Sequence, residues 1–418
     1  MSIHNTFETL NPRPDYINRV LPFIDKPVIK VITGMRRSGK SSFLHLIRKH
    51  LQSKHKVPDK NILYVDKESL EFDAIRNYSD LNKLVLDKFK KCSGKCVVLI
   101  DEIQEIHDWE KAVASFLKNK IADIYITGSN ARLLASELAT LLSGRYVEFP
   151  IYPLTFSEFR TFRQKATGRT DTIEYDFSIF MKYGGLPGLH HFELTGNTIE
   201  QYLNSVINTI LFKDIIQRHS IREPSQLENI TRFMMDNCGN ITSARRISDY
   251  LKSQKFSFAP DRVQAYLGYL EQAFLIKKVR RYDLKGLRHL ESLDKYYLGD
   301  IGLRHGLIGY RDSGISGVLE NIVYLELLSR GYSISIGKQD TFEIDFIASK
   351  QNERLYIQVA YLLAAEKTIE REFRSLEMIK DNYPKIVLSM DTLQPEDRKG
   401  IKWMNILSFL TEKPVFQS

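Results

Sequence analysis

The clearest chemistry in the chain sits in one short stretch. Gly34-Met35-Arg36-Arg37-Ser38-Gly39-Lys40-Ser41, continued by Ser42, fits the phosphate-binding pattern G-x-x-x-x-G-K-[ST]. Gly34 and Gly39 permit backbone angles that a side chain forbids, so successive N–H groups can turn inward as a cradle for phosphate oxygens. Lys40 adds a point charge for the β and γ phosphates, and Ser41 offers a hydroxyl to Mg²⁺. A glycine turn that binds nothing is the plainer reading. The apolar run from Val28 before the loop and the helical stripe Phe43, Leu44, Leu46, Ile47 and Leu51 after it supply the strand and helix that the pattern requires.

A second constellation matches the first. The run Cys96 to Glu102, CVVLIDE, reads as an apolar strand ending in Asp101, a carboxylate suited to hold Mg²⁺, with Glu102 next as a general base for an attacking water. The next β-branched strand, Ile121 to Thr127, ends in Gly128-Ser129-Asn130. Asn130 is the first candidate to sense the γ-phosphate or water and Thr127 the second; capping of a helix over 131–142 by Ser129 or Asn130 competes with that role. Arg145, in Gly144-Arg145-Tyr146, is positioned either to reach a neighbouring subunit's γ-phosphate or to serve as an ordinary surface residue.

These residues need a scaffold that brings them together. Strands alternating with helices over 28–150 predict an α/β fold with a parallel sheet covered on both faces, and the ligand at the carboxyl ends of its strands. At 418 residues the chain is long for one core, so further domains are expected. Cys92, Cys96 and Cys238 are too few for a disulfide framework and lack the partners of a zinc site, which suits reduced thiols in a cytoplasmic protein. The first residues lack a secretory pattern, and no run is long and apolar enough to span a membrane. Net charge is +9; residues 221–310 carry fifteen Lys and Arg against ten Asp and Glu, whereas 311–418 carry fourteen against sixteen. The middle segment is the one suited to nucleic acid.

GMRRSGKSS, VVLIDEIQ, ITGSN and SGRYVEFPIYPLTFSEF together resemble prokaryotic AAA+-like ATPases that carry a C-terminal DUF4143 domain. The resemblance implies four parts: a P-loop ATPase domain over 1–152, a helical lid over 153–220, a winged helix-turn-helix domain over 221–305 and an α/β nuclease-like domain over 306–418. It casts Lys40, Ser41, Asp101 and Glu102 as the Walker residues and Asn130 as sensor 1. In Tyr183-Gly-Gly-Leu-Pro187-Gly188, Gly188 stands where related ATPases often place a sensor arginine, so the motif reads as a helix breaker.

In the winged-helix segment, Ser243 to Lys252 and Asp261 to Gln272 have helical periodicity. A following hairpin, Phe274 to Tyr282 and then Lys295 to Leu298, is expected to carry a basic wing. Arg245, Arg246, Lys277, Lys278, Arg280, Arg281, Lys285 and Arg288 are the candidate DNA-phosphate contacts, although winged helices also dock proteins. The C-terminal segment resembles the PD-(D/E)xK nuclease core, with Glu320 at a helix start, Glu343 and Asp345 at a strand end and Gln358 on the next strand. Gln358 replaces the second metal-binding carboxylate and Ala360 the lysine, so a degenerate site is expected, with metal binding by Glu320, Glu343 and Asp345 weak at best.

The leading expectation is therefore a Mg²⁺-dependent ATPase that binds ATP, acts on DNA and assembles into a homo-oligomer, a ring or hexamer by resemblance. The C-terminal domain would engage a protein partner. The alternative is a nucleotide-gated switch that controls a protein partner without touching DNA.

Overall fold

The computed structural model describes residues 10–131, 142, 144–256, 258–290, 293–311, 314–363, 365–392 and 397–412. The described residues form two compact units, one reaching to Ile151 and including Gln272–Phe274, the other comprising Tyr152–Glu271 and the chain from Leu275 onward. The helix expected over 131–142 lies largely outside the described residues.

The first unit is built on five strands: β1 (Ile29–Thr33), β2 (Ile62–Asp66), β3 (Val97–Asp101), β4 (Asp123–Gly128) and β5 (Tyr146–Pro150). Their order is β2-β3-β4-β1-β5 and every pairing is parallel. Helices among the described residues follow β1, β2 and β3, apolar side chains pack on both sheet faces, and the strands read as nearly continuous apolar runs. Alternation along β1 sends Ile29 and Val31 to one face, against Leu81, Val85, Trp109 and Phe116, and Ile32 to the other, against Phe43, Leu44, Ile47 and Leu51. The helix Lys40–Lys54 opens on Gly39, and Tyr78–Phe89 opens on an Asn77–Asp80 capping box.

The register lines up the carboxyl ends of the central strands. Ile32 lies opposite Thr127 and Ile100 opposite Ile126, so Thr33, Asp101 and Thr127 emerge at one edge of the sheet. Gly34 follows at φ +151°, and a Cβ there would stand 2.3 Å from the Ile151 carbonyl oxygen. Only glycine lets the chain leaving β5 pass so close to the loop.

The second unit begins with the helices Phe156–Thr167, Ile173–Tyr183 and Gly196–Thr209, the last continuing as a π-helix over Ile210–Gln217. The Ile173–Tyr183 helix stops at Gly184, where φ is +77°. A Cβ at Gly184 would lie 2.2 Å from Asp300 Oδ1, and the Asp300 carboxylate accepts the N–H of Gly185 at 2.7 Å and of Gly302 at 2.8 Å. The glycine-rich turn and the Gly-Asp-Ile-Gly stretch are thus two halves of one lock.

Three more helices, Pro224–Asp236, Ala244–Ser253 and Pro260–Gln272, accompany a small sheet of β6 (Ile241–Thr242), β7 (Ile276–Val279) and, after the intervening β8 (Arg281–Asp283) and β9 (Arg288–His289), β10 (Asp294–Leu298). β10 is central and antiparallel to both β6 and β7. The expected hairpin of Phe274–Tyr282 with Lys295–Leu298 is present in β7 and β10, but the end of the first stretch departs from it. Arg281–Asp283 leaves β7 and pairs in parallel with β11 (Ser333–Gln339), making β8-β9 the edge of a seven-stranded sheet. The backbone groups of that segment are satisfied by pairing rather than by solvent. The sheet continues through β12 (Phe342–Lys350), β13 (Glu353–Val359), β14 (Lys385–Ser389) and β15 (Lys402–Asn405), antiparallel from β11 to β13 and parallel beyond. The helices Ile315–Ser329 and Glu366–Glu377 belong to the same unit.

Candidate nucleotide site

The loop after β1 bends through Arg37 at φ +68° and Gly39 at φ +98°, which turns its N–H groups toward a common centre. Met35 is buried, and its carbonyl accepts the Lys40 ammonium at 3.2 Å. Arg36 pairs with Glu68 at 3.0 Å, while Arg37, Ser41 and Ser42 are exposed. Among the described residues the buried Ser38 Oγ has no hydrogen-bond partner, and a Gly34 Cβ would lie 3.0 Å from it. An unsatisfied buried hydroxyl in a concave cradle of N–H groups fits a phosphate oxygen.

The acidic pair stands beside this cradle. Asp101 is buried and receives hydrogen bonds from Ser41, from the Thr127 hydroxyl and, at 3.4 Å, from the Tyr64 hydroxyl. Burial pushes its carboxyl above the ordinary value, repulsion from Glu102 adds to that, and the Ser41 and Thr127 bonds with the charge of Lys40 oppose it. Ser41, in the first turn of the helix Lys40–Lys54, and Asp101, at the end of β3, are the hard oxygen donors a Mg²⁺ ion takes and are already in contact. The residues present fit that ion.

Glu102 occupies the left-handed region at φ +52°, a conformation a glutamate rarely adopts, and it turns the carboxylate back over the loop. Its N–H donates to Thr127 Oγ1 at 2.9 Å. Its carboxylate accepts the Ser129 hydroxyl at 3.0 Å and the Gln104 amide, and lies 3.5 Å from Lys40 Nζ. Burial works to raise this carboxyl, but Lys40, Gln104, Arg36 and Ser129 outweigh it and hold it below the usual glutamate value. Two buried neighbouring carboxylates are thereby driven apart in proton affinity.

Asn130 is buried just beyond β4, and Thr127 and Ser129 hydrogen-bond the acidic pair. The sequence points to Thr127 only as a second choice and to Ser129 only as a cap, and no motif marks Gln104 or Tyr64. Arg145 is exposed and precedes β5, at the amino edge of the parallel sheet, opposite the edge that carries the loop. It does not join its own chain's cradle.

The basic candidates of the second unit are dispersed. Arg245, Arg246, Arg280 and Arg288 are exposed, Lys278 pairs with Asp294 at 2.7 Å, Lys285 pairs with Asp340 at 3.3 Å, and Lys277 lies over the Tyr152 ring. Arg281 is half-buried on β8. The helix Pro260–Gln272 exposes Asp261 and Glu271, and its Arg262 pairs with Glu223 at 3.3 Å. The carboxylates placed near one another in the C-terminal segment do converge. Glu320 lies within the helix Ile315–Ser329, while Glu343 and Asp345 open β12 rather than ending a strand. Sequence reasoning passed over the cation they surround, Lys295 of β10.

Parallel strand order, the glycine loop and the Ser41, Asp101 and Glu102 cluster define a P-loop fold of the AAA type. A family model described as a AAA domain matches residues 26–160, and a domain of unknown function, DUF8612, matches 174–314, in place of the DUF4143 domain the resemblance implied. An uncharacterized protein of Haemophilus influenzae is 38% identical over 401 residues, 96% of this chain and 98% of its own length. An uncharacterized protein of Methanocaldococcus jannaschii is 30% identical over 368 residues, 84% of this chain and 79% of its own. The chain belongs to the family of these proteins. A solved Walker-type ATPase of Pyrococcus abyssi shares the fold with TM-score 0.52 and 16% identity, over 71% of this chain and 95% of that one. No helix among the described residues is long and apolar enough to cross a membrane.

Proposed function

We propose that the protein is a AAA-type ATPase that binds ATP at the Gly34–Ser42 loop and hydrolyses it with Glu102 as the base. The observation that carries this reading is the position of the Glu102 carboxylate, aimed over the loop by a left-handed backbone and 3.5 Å from Lys40. Loop N–H groups and the Ser38 hydroxyl bind the phosphates. Lys40 leaves Glu102 for the γ-phosphate oxygens and balances charge that develops there. Glu102, freed from its cation but still held by Ser129 and Gln104, orients a water and takes its proton as the oxygen attacks phosphorus, releasing ADP and phosphate. Mg²⁺, held by Ser41 and Asp101, would neutralise the β and γ oxygens and fix their geometry. Thr127 keeps Asp101 and Glu102 in register, and Asn130 is assigned to sensing the γ-phosphate. Arg145 acts, in this reading, on the site of a neighbouring subunit in a homo-oligomer.

The exposed Arg245, Arg280 and Arg288 support a contact to nucleic-acid phosphates as the work coupled to hydrolysis. A second reading, a nucleotide-gated switch on a protein partner, is favoured by Lys278 and Lys285 being engaged by Asp294 and Asp340. Steady-state hydrolysis and duplex-DNA binding at about 0.1 M salt separate the two, since phosphate contacts survive in part at that ionic strength. Binding that weakens on Arg280→Ala and Arg288→Ala, with the salt slope falling by about one for each, supports the DNA reading. No binding and no change in rate leaves the switch. Absence of any ATPase activity, with Lys40→Ala indistinguishable from the unaltered chain, removes the hydrolytic reading.

A further inference from the structure

The C-terminal sheet contains a cleft of about 800 Å³ whose floor collects side chains from three elements. Lys295 Nζ, on β10, lies 3.1 Å from Glu320, 2.8 Å from Glu343 and 3.2 Å from Asp345. The Lys295 side chain is only 5% exposed. An ammonium has three N–H donors and no acceptor, so these carboxylates use all it can offer. Three carboxylates this close repel one another, and the ammonium between them offsets that repulsion.

The carboxylates are also aimed from behind. The second oxygen of Asp345 accepts the Val359 N–H at 2.9 Å. Gln358 accepts the Asp345 N–H at 3.2 Å and donates to Glu372 at 2.8 Å, while the Tyr297 hydroxyl donates to Glu320 at 3.1 Å. This is the outer layer of bonds that orients ligands around a metal ion, here wrapped around an amine. A glutamate at 358 would add a further negative charge where carboxylates already outnumber the ammonium; the neutral amide avoids it.

We propose that Lys295 is a tethered cation occupying a divalent-metal type of carboxylate site, so that the cleft is assembled without an ion and becomes a metal site only when that amine is removed. The proposal does not depend on the nucleotide reading of the first unit. It gives a physical reason for the absence of metal-dependent phosphodiester cleavage expected from Gln358 and Ala360, and assigns the amine a second role, tying β10 to β12 and the Ile315–Ser329 helix.

Mn²⁺ binding by the nucleotide-free full chain tests this, counted by the loss of the free-ion electron paramagnetic resonance signal. Lys295→Ala should bind one more Mn²⁺ per chain than the unaltered protein, with at least tenfold higher affinity for that ion. Lys295→Ala combined with Asp345→Asn should lose it. A Mn²⁺ site in the unaltered protein that Asp345→Asn abolishes would overturn the proposal, as would a folded Lys295→Ala that gains no ion. Should Lys295→Ala fail to fold, millimolar Mn²⁺ must restore its folding, because an ion that binds only the native state stabilises it. Failure to restore it also overturns the proposal.

Discussion

The Lys40 ammonium and the Glu102 carboxylate face each other at 3.5 Å, with side chains only 4% and 9% exposed. Neither charge is well solvated, so each depends on the other until phosphate arrives. A γ-phosphate competes for Lys40 and in doing so releases Glu102, which links occupancy of the cradle to exposure of the base.

Removing Lys40 should therefore do two things at once. Lys40→Ala is expected to weaken ATP binding at least a hundredfold, and to destabilise the nucleotide-free protein by about 3–5 kcal/mol, because a buried carboxylate is left without its cation. Thermal unfolding with and without ATP measures both.

The same pair sets a pH dependence. Lys40, with Gln104, Arg36 and Ser129, overcomes burial and holds the Glu102 carboxyl below its ordinary 4.5. Glu102 thus stays ionised, and its own titration, followed by NMR, should lie below pH 4.5 in the unaltered protein. In Lys40→Met burial is no longer opposed by that charge, and a fluorescence or NMR titration of Glu102 should move upward.

Thr127 is the joint between the two acids. Thr127→Val keeps the shape but leaves the Asp101 oxygen and the Glu102 N–H without a partner, a loss of about 1–3 kcal/mol. The rate should fall by about 10–100-fold, the scale lost when a 1 Å shift spoils positioning. Thr127→Ser, which restores the hydroxyl, should recover most of the rate. Denaturant titration and steady-state kinetics on the two variants provide the check.

Asp300 makes stability depend on pH in the opposite sense to most acids. Burial raises its carboxyl to about 6 from an ordinary 3.8, against the bonds it accepts from Gly185, Gly302 and Leu303. Between those values the folded chain keeps a proton that the unfolded chain has released. The contribution is therefore full below pH 3.8 and lost as pH rises through 6, roughly 3 kcal/mol at 1.36 kcal/mol per pKa unit. Asp300→Asn should flatten that slope in unfolding titrations across pH 4 to 7. Gly184→Ala, which places a Cβ against the same carboxylate at a positive φ, should destabilise the protein at every pH.

The first unit was legible because its signals are local. Gly34, Gly39 and Lys40 must be neighbours to make a cradle, and an apolar run ending in Asp101 puts that carboxylate at a strand end whatever the rest of the chain does. The role of Thr127 depends instead on the register that sets Ile100 opposite Ile126, which no local pattern encodes. The hairpin expected between Phe274–Tyr282 and Lys295–Leu298 is present as β7 with β10, but Arg281–Asp283 pairs with Ile336–Lys338, far along the chain, and alternating basic residues look the same on a hairpin as on a sheet edge. Lys295 lies 25 residues from Glu320 and 50 from Asp345, so Lys-Tyr-Tyr-Leu reads only as a strand until the fold surrounds its amine with carboxylates.

The central claim is that Glu102 takes the proton from the attacking water. Single-turnover hydrolysis by Glu102→Gln tests it most directly, since glutamine preserves the volume and can still accept the Ser129 hydroxyl. The account predicts ATP affinity within about threefold of the unaltered protein and hydrolysis slowed at least ~100-fold, the usual scale of general-base catalysis. Hydrolysis at the unaltered rate would contradict it.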